Sequence, residues 1–480
     1  MIAAAQLVTV ILRLAAACEP GAAEPSALDV SLTVPVAGRP VFRLDDSVYG
    51  TAGMAQLVSG AEASDRRGPL PLLRRDTADA LELAGTRAAV GAVTLRYRAR
   101  SVAVADAGAR HGLRHDATGV GGLGAFFLVL PESRRSHRLR VEWGPPACGA
   151  GQGISSFGFD PGPAEATGRL DSLRMAAYFF GRPQRFTNDV DGTRVEAAWF
   201  GAPALDAAAA SAAAARAFAA ERSFFADDDP APYRVFVRVL PEMDDRSNGM
   251  GQPGSLLLAI GPRTPLGPRL AVNIAHEMWH RWLGLQLRLA GPDGTRFWFT
   301  EGFTVYYASL VLLRAGLLSP DDFLGELNRI ATRHFTNPRA AASNDEIRRG
   351  FFTDEALSTV PYTRGALYAA ELDAAIRRAS GGARSLDTLM RGLHRAARAA
   401  PVGAAGLREL PPSAFRRAVQ RELGRAGVDR FDAVIERGAP PDPPADGYGP
   451  CFARVARDAG FAWERVTGVP DDRCAAAPPG

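Results

Sequence analysis

The sequence predicts an α+β multidomain fold: an N-terminal β-sandwich-like domain, a mostly helical domain with a small sheet, and a short helical C-terminal region. Three observations carry that prediction. The chain has 480 residues, too many for one ordinary core. Short segments of period two, separated by Gly, Pro, Asp and Ser clusters, fill its first third. Long helical patterns then take over. A hydrophobic content of 47% excludes global disorder.

Taken in order, residues 2–17 are apolar apart from Gln6, Thr9 and Arg13, and run into Ala15-Ala16-Ala17-Cys18. The stretch is too short and too charged for a membrane span. It predicts a secretory leader over residues 1–24 and export from the cytoplasm. Cys18 also offers a site for lipid attachment, hence a membrane tether. A β domain is expected over 25–168, with strands at Leu28–Val34, Ala92–Arg98, Ala125–Leu130 and Leu139–Trp143. His111 and His115 stand four apart, but Gly112 and the Gly-rich stretch beyond argue against a helix there, and so against a shared metal.

A second domain is expected over 169–400. An Ala-rich helix over Leu205–Phe225 breaks at Asp227-Asp228-Asp229-Pro230. Strands follow at Tyr233–Leu240 and Ser255–Ile260, then helices over 270–288, 300–316, 321–335, 363–379 and 385–398. Residues 401–480 read as helical with a Pro-rich tail.

All 56 basic residues are Arg, balanced by 52 acidic ones, for a net charge of +4. The charges are scattered, with no basic stripe interleaved with aromatics, which speaks against a nucleic-acid partner. None of the four cysteines has zinc-knuckle spacing. In an oxidising compartment Cys451 and Cys474 can close a loop contributing about 3 kcal/mol, leaving Cys148 unpaired. The alternative is that all four are free thiols.

The chemistry concentrates in His276-Glu277-Met278-Trp279-His280. On a helix, His276 and His280 fall on one face and can bind one Zn²⁺ through nitrogen. Glu277 lies beside the pair, where a carboxylate can take a proton from an attacking water. A catalytic zinc needs a third protein ligand and an open fourth position. Glu301, 20 residues beyond His280 in Trp298-Phe299-Thr300-Glu301, is the candidate. Leu289-Ala290-Gly291-Pro292-Asp293-Gly294 supplies the returning turn, and Thr300 is a candidate N-cap for the next helix.

These motifs, with Trp282, Gly302-Phe303-Thr304-Val305-Tyr306-Tyr307, Pro361-Tyr362-Thr363-Arg364-Gly365 and Gly381–Met390, resemble the gluzincin metallopeptidases. They are most similar to the glycyl aminopeptidase family, a relative of aminopeptidase N and leukotriene hydrolase. The resemblance covers roughly residues 170–400. It implies a thermolysin-like catalytic domain, zinc held by His276, His280 and Glu301, Glu277 as catalytic base, and a peptide or protein as substrate. It further implies that Tyr362 donates its hydroxyl to the tetrahedral intermediate, where a phenol stabilises growing negative charge. Family members often end in a PDZ domain, for which residues beyond 400 leave no room.

One segment departs from the family. Where its members place a Gly-Gly-Leu-Glu-His-like stretch whose Glu seats the substrate amine, this chain has Asn248-Gly249-Met250-Gly251-Gln252. Gly249, Met250 and Gly251 still suit a backbone-lined substrate groove, but Gly251 stands where the Glu would be. Two functions remain to be separated: an exported zinc metallopeptidase of aminopeptidase type, and a zinc-binding scaffold with little turnover.

Overall fold

The structure is a computed structural model that describes residues 7–19, 21–48, 50–292, 294–402 and 408–475. The first six residues of the expected leader and Asp293 of the expected turn lie outside these. The chain folds into two compact units. The first comprises residues up to Asp189 with Arg194–Ser211 and Ala231–Pro265; the second takes Val190–Thr193, Ala212–Pro230 and Leu266 onward.

Within the segment expected as a leader, Thr9–Ala17 is a strand. Val10, Leu12, Leu14, Ala16 and Ala17 are buried, and Thr9, Ile11, Arg13 and Ala15 reach the surface. The strand lies parallel to His137–Trp143 and antiparallel to Ala27–Pro35, inside a seven-stranded sheet. Its outer face carries Ile11 and Ala15, which disguise the period of two as a continuous apolar run; outward Arg13 pairs with Glu142 at 2.6 Å. Cys18 is disulfide-bonded to Cys148, so the thiol that lipid attachment would need is taken and Cys148 is not left over. Cys451 and Cys474 are joined, the first of the two alternatives open from the sequence.

The strands expected at 28–34, 92–98 and 139–143 form as Ala27–Pro35, Ala92–Arg100 and His137–Trp143. Ala125–Leu130 does not. It holds a 3₁₀ turn, Gly124–Phe126, and a buried loop leading into the two-residue strand Leu130–Pro131. Apolar residues there fill the core without sheet pairing, because the Tyr97 hydroxyl satisfies the loop. It donates to the Phe127 carbonyl and accepts from the Val129 N–H, both at 3.0 Å.

The expected boundary at 168/169 moves. Parallel strands Thr193–Phe200, Tyr233–Val239 and Ser255–Ile260, with antiparallel Ser247–Gln252 at the edge, belong mainly to the first unit. Phe179 stacks on Phe200 at 4.6 Å and on Phe236 at 5.4 Å, so this sheet shares a core with the N-terminal strands.

The second unit is mostly helical. The helix expected over 270–288 is Pro268–Trp279, and that over 300–316 runs from a π-helical turn, Trp298–Phe303, into Thr304–Arg314. The helix expected from 363 already starts at Glu355. Asp354 caps it by accepting from the N–H groups of Ala356 and Leu357; Pro361 inside the helix hid this first part from the sequence pattern. The C-terminal part is not wholly helical. After Ser413–Phe431 comes a hairpin, Phe452–Ala456 with Phe461–Arg465. The Asn328 side chain, on helix Pro320–Phe335, accepts from the Trp463 N–H and donates to its carbonyl. No helix among the described residues is long and apolar enough to cross a membrane.

Candidate metal centre

The helix Pro268–Trp279 carries His276, and His280 follows at its C-cap. Apolar Leu270, Ile274, Ala275, Met278 and Trp279 bury one side. Trp279 stacks on Tyr307 at 4.9 Å, and Trp282 on Phe225 at 5.1 Å. Asp227 closes the far end: it accepts from Trp282 Nε1 at 2.8 Å and from Arg281 Nε at 3.2 Å, while Arg281 Nη2 reaches Asp229 at 2.7 Å. The acidic run that ends one helix thus pins the loop after the histidines. Burial alone would raise Asp227, but the Asp229 N–H, Arg281 and Trp282 hold it below the usual carboxylate range.

His276, His280 and Glu301 present ligand atoms all within 4.8 Å of one another. Both Nε2 atoms lie 3.4 Å from one Glu301 oxygen. The side chains keep 13%, 15% and 16% of their surface exposed, so the donor set can be reached from outside. His280 Nδ1 lies 3.1 Å from the Leu283 carbonyl and, as the donor to it, leaves Nε2 free to ligate. Burial raises Glu301 and lowers His280, but each overrides it in the other. Glu301, aided by Glu277, pushes His280 up to about 9, and the two imidazoles hold Glu301 well below the carboxylate range. Two imidazole nitrogens and a carboxylate that favours positive charge among them fit zinc with an open position.

Glu301 sits in the π-turn, not in a first turn capped by Thr300; the residue before the turn is Phe297. The turn packs against the helix bearing Tyr362. A Cβ at Gly302 would lie 2.5 Å from Gly365 Cα and 2.6 Å from the Pro361 carbonyl, and one at Gly365 would overlap the Trp298 carbonyl. Two glycines therefore let the elements cross with backbones in contact. That crossing brings Tyr362, one turn before Gly365, close enough to Glu301 to feel its charge, and to a stack on His276 with centroids 6.1 Å apart. Burial first, then Glu301 and Glu277, push the Tyr362 hydroxyl well above its ordinary value, so it stays a donor. Glu277 is buried, close enough to influence both His280 and Tyr362.

Residues 270–347 match the family model of the M61 glycyl aminopeptidases. Over that segment, which holds His276, His280 and Glu301, the chain is similar to the gluzincin aminopeptidases. An aminopeptidase N family protein from Idiomarina loihiensis shares its fold, with a TM-score of 0.72 at 15% identity over 89% of this chain and 76% of that one. An M1 zinc metallopeptidase from Deinococcus radiodurans gives 0.59 at 19% over 91% and 95%. Yeast LTA4 hydrolase gives 0.53 at 12% over 91% and 69%. One structure of the Deinococcus protein is bound to a Tyr-Ser-Ala substrate. No curated protein matches this chain in sequence. Family and neighbours together support a peptidase.

The remaining expected residues lie in the first unit. Gly249, Met250 and Gly251 form part of the edge strand Ser247–Gln252, paired with Leu258, Leu257 and Leu256. Met250 packs partly on the core of that unit. His111 is buried and donates to the Asn248 carbonyl at 3.3 Å, whereas His115 Nδ1 meets Ser101 Oγ at 2.8 Å, so the two imidazoles have separate partners. Sequence reasoning missed Asp227, Gly302 as a packing residue, and the Leu283 carbonyl. Asp227 and Gly302 stand inside quoted motifs, but only the fold reveals their contacts.

Proposed function

We propose that this chain is a zinc-dependent peptidase of aminopeptidase type, and that it works in an oxidising compartment outside the cytoplasm. The observation that carries the catalytic reading is the convergence of His276, His280 and Glu301 with Tyr362 and Glu277 around one point. Zinc, when bound there, supplies a Lewis acid that polarises the scissile carbonyl and activates water. Glu277 takes the proton from the attacking water and passes it to the leaving amine. The Tyr362 hydroxyl donates to the oxygen on which charge develops, which stabilises the transition state more than the bound peptide. Glu301 and the Leu283 carbonyl hold the imidazoles in register. Gly251 supplies no carboxylate for a substrate amine, so N-terminally blocked peptides should be cut about as well as free ones. The two disulfides support the oxidising compartment.

The test is hydrolysis of a peptide library by zinc-loaded protein, with and without chelator. Turnover that chelator abolishes and zinc restores is expected. Stoichiometric zinc with no turnover would favour the scaffold reading, for which the missing acid at Gly251 is the one supporting feature.

A further inference from the structure

The turn that follows His280 is tied to the rest of the second unit by a histidine that the proposed chemistry does not use. In residues 282–287 the Trp282 carbonyl accepts from the N–H groups of Gln286 at 3.2 Å and Leu287 at 2.7 Å, which closes the turn. The peptide between Leu283 and Gly284 lies inside it. Its carbonyl meets His280 Nδ1 at 3.1 Å, and its N–H donates to the Leu287 carbonyl at 3.0 Å. A peptide unit is planar and stiff, so whatever holds Leu287 also holds the acceptor that orients His280. Gly284 takes φ +104°, a backbone geometry that side chains disfavour.

Leu287 follows Gln286 directly, and Gln286 Oε1 lies 2.8 Å from Nε2 of His394, 108 positions away. His394 stands on helix Leu386–Ala399 and is only 2% exposed. Its ring packs edge-on against Phe225 at 5.0 Å, and Trp282 stacks on the same Phe225 at 5.1 Å. The two ends of the turn are thus held by one aromatic and one hydrogen bond. Burial first, then Arg398, hold His394 down at about 4 against the pull of Asp227, so its ring is neutral and carries one N–H. An amide oxygen can only accept, which puts that hydrogen on Nε2.

We infer that His394 and Gln286 are positioning residues of the metal centre: their hydrogen bond holds the Leu283–Gly284 peptide in the orientation that turns His280 Nε2 toward the ion. The relay runs from His394 Nε2 to Gln286 Oε1, along the main chain to the Leu287 carbonyl, and through the Gly284 N–H and the Leu283 carbonyl to His280 Nδ1. Partners behind a ligating imidazole fix its ring and tautomer, and their loss typically weakens metal binding about 10–100-fold. The inference rests on zinc binding by His276, His280 and Glu301, but not on turnover.

Zinc affinity is measured by chelator competition on the full chain, with melting of the metal-free form followed in parallel. His394→Leu removes the donor and Gln286→Met the acceptor, and each should weaken zinc binding about 10–100-fold. The double variant should lose no more than the worse single one, because both changes break the same bond. His394→Gln, whose amide can donate from about the place of Nε2, should recover most of the affinity. A purely structural pair would behave differently: the metal-free variants would melt earlier, and the folded protein would bind zinc as before. Gln286 is half-buried, so Gln286→Met carries the test by itself should His394→Leu not fold. Unchanged zinc affinity in Gln286→Met, or losses that simply add in the double variant, overturns the inference. Weakened zinc binding in the variants of a protein that cuts no peptide would sink the hydrolytic reading and leave the positioning role standing. An unaltered protein that binds no zinc would sink both.

Discussion

At the scale of single residues, the metal centre separates groups that hold the ion from groups that act on the substrate. His276→Ala, His280→Ala and Glu301→Ala should each lower bound zinc, because each removes one of three donors that lie within 4.8 Å of one another. Metal analysis of the purified variants checks this, and full occupancy in all three would defeat the assignment. Glu277→Gln should retain zinc yet lose hydrolysis, because an amide cannot take the proton. Tyr362→Phe keeps the ring that stacks on His276 but removes the hydroxyl. Its kcat should fall about 10²–10³-fold, or roughly 3–4 kcal/mol, with KM nearly unchanged. Zinc content and melting must be followed in parallel. Wild-type kcat in a variant that only melts earlier would return Tyr362 to a packing role. These residues were legible because their chemistry fixes their spacing: two imidazoles four apart on a helix can share an ion. Asp227 was not, since its partners Arg281 and Trp282 stand more than fifty positions away and only packing joins them.

At the scale of elements, the site depends on a crossing with no room for side chains. The π-turn at Trp298–Phe303 meets helix Glu355–Ala379 through Gly302 and Gly365, and the same contact sets Tyr362 against Glu301. Gly302→Ala and Gly365→Ala must each push backbone away from backbone. Each should cost about 1–3 kcal/mol of stability. Each should also slow the folded, zinc-loaded enzyme on the order of 10²-fold, because small displacements of a catalytic group are expensive. Denaturation midpoints and kcat on metal-saturated protein measure the two effects separately. Unaltered kcat in both variants would show that the crossing does not position Tyr362. The helices themselves were readable from periodicity, but their ends were not. Pro361 made the sequence pattern start late, although Asp354 caps the helix upstream. Thr300 has a capping side chain, but Glu301 lies in a π-turn whose shape comes from the Gly302 contact rather than from local propensity.

At the scale of the whole molecule, the two units carry one disulfide each, and the first of these bears on the segment expected as a leader. An apolar run ending in Ala-Ala-Ala-Cys has the composition of a signal, and composition cannot tell it from a strand whose outer face is also partly apolar. In the structure Thr9–Ala17 has a hydrogen-bonded neighbour on each side, and Cys18 at its end is tied to Cys148 across 130 residues of chain. A mature protein cut after Cys18 would lose five buried side chains and an interior strand, leaving His137–Trp143 and Ala27–Pro35 without the strand that joins them. A chain beginning at Glu19 should therefore fail to fold, and protein recovered from its natural compartment should keep Thr9–Cys18. Replacing Cys18 and Cys148 together by Ser keeps the strand while removing the link, and should cost about 2–5 kcal/mol. Peptide mapping without reduction should recover Cys18 joined to Cys148 and Cys451 joined to Cys474. Free thiols at these positions in protein taken from its natural compartment would refute the proposed oxidising environment, and a stable, active chain starting at Glu19 would refute the structural role of the strand.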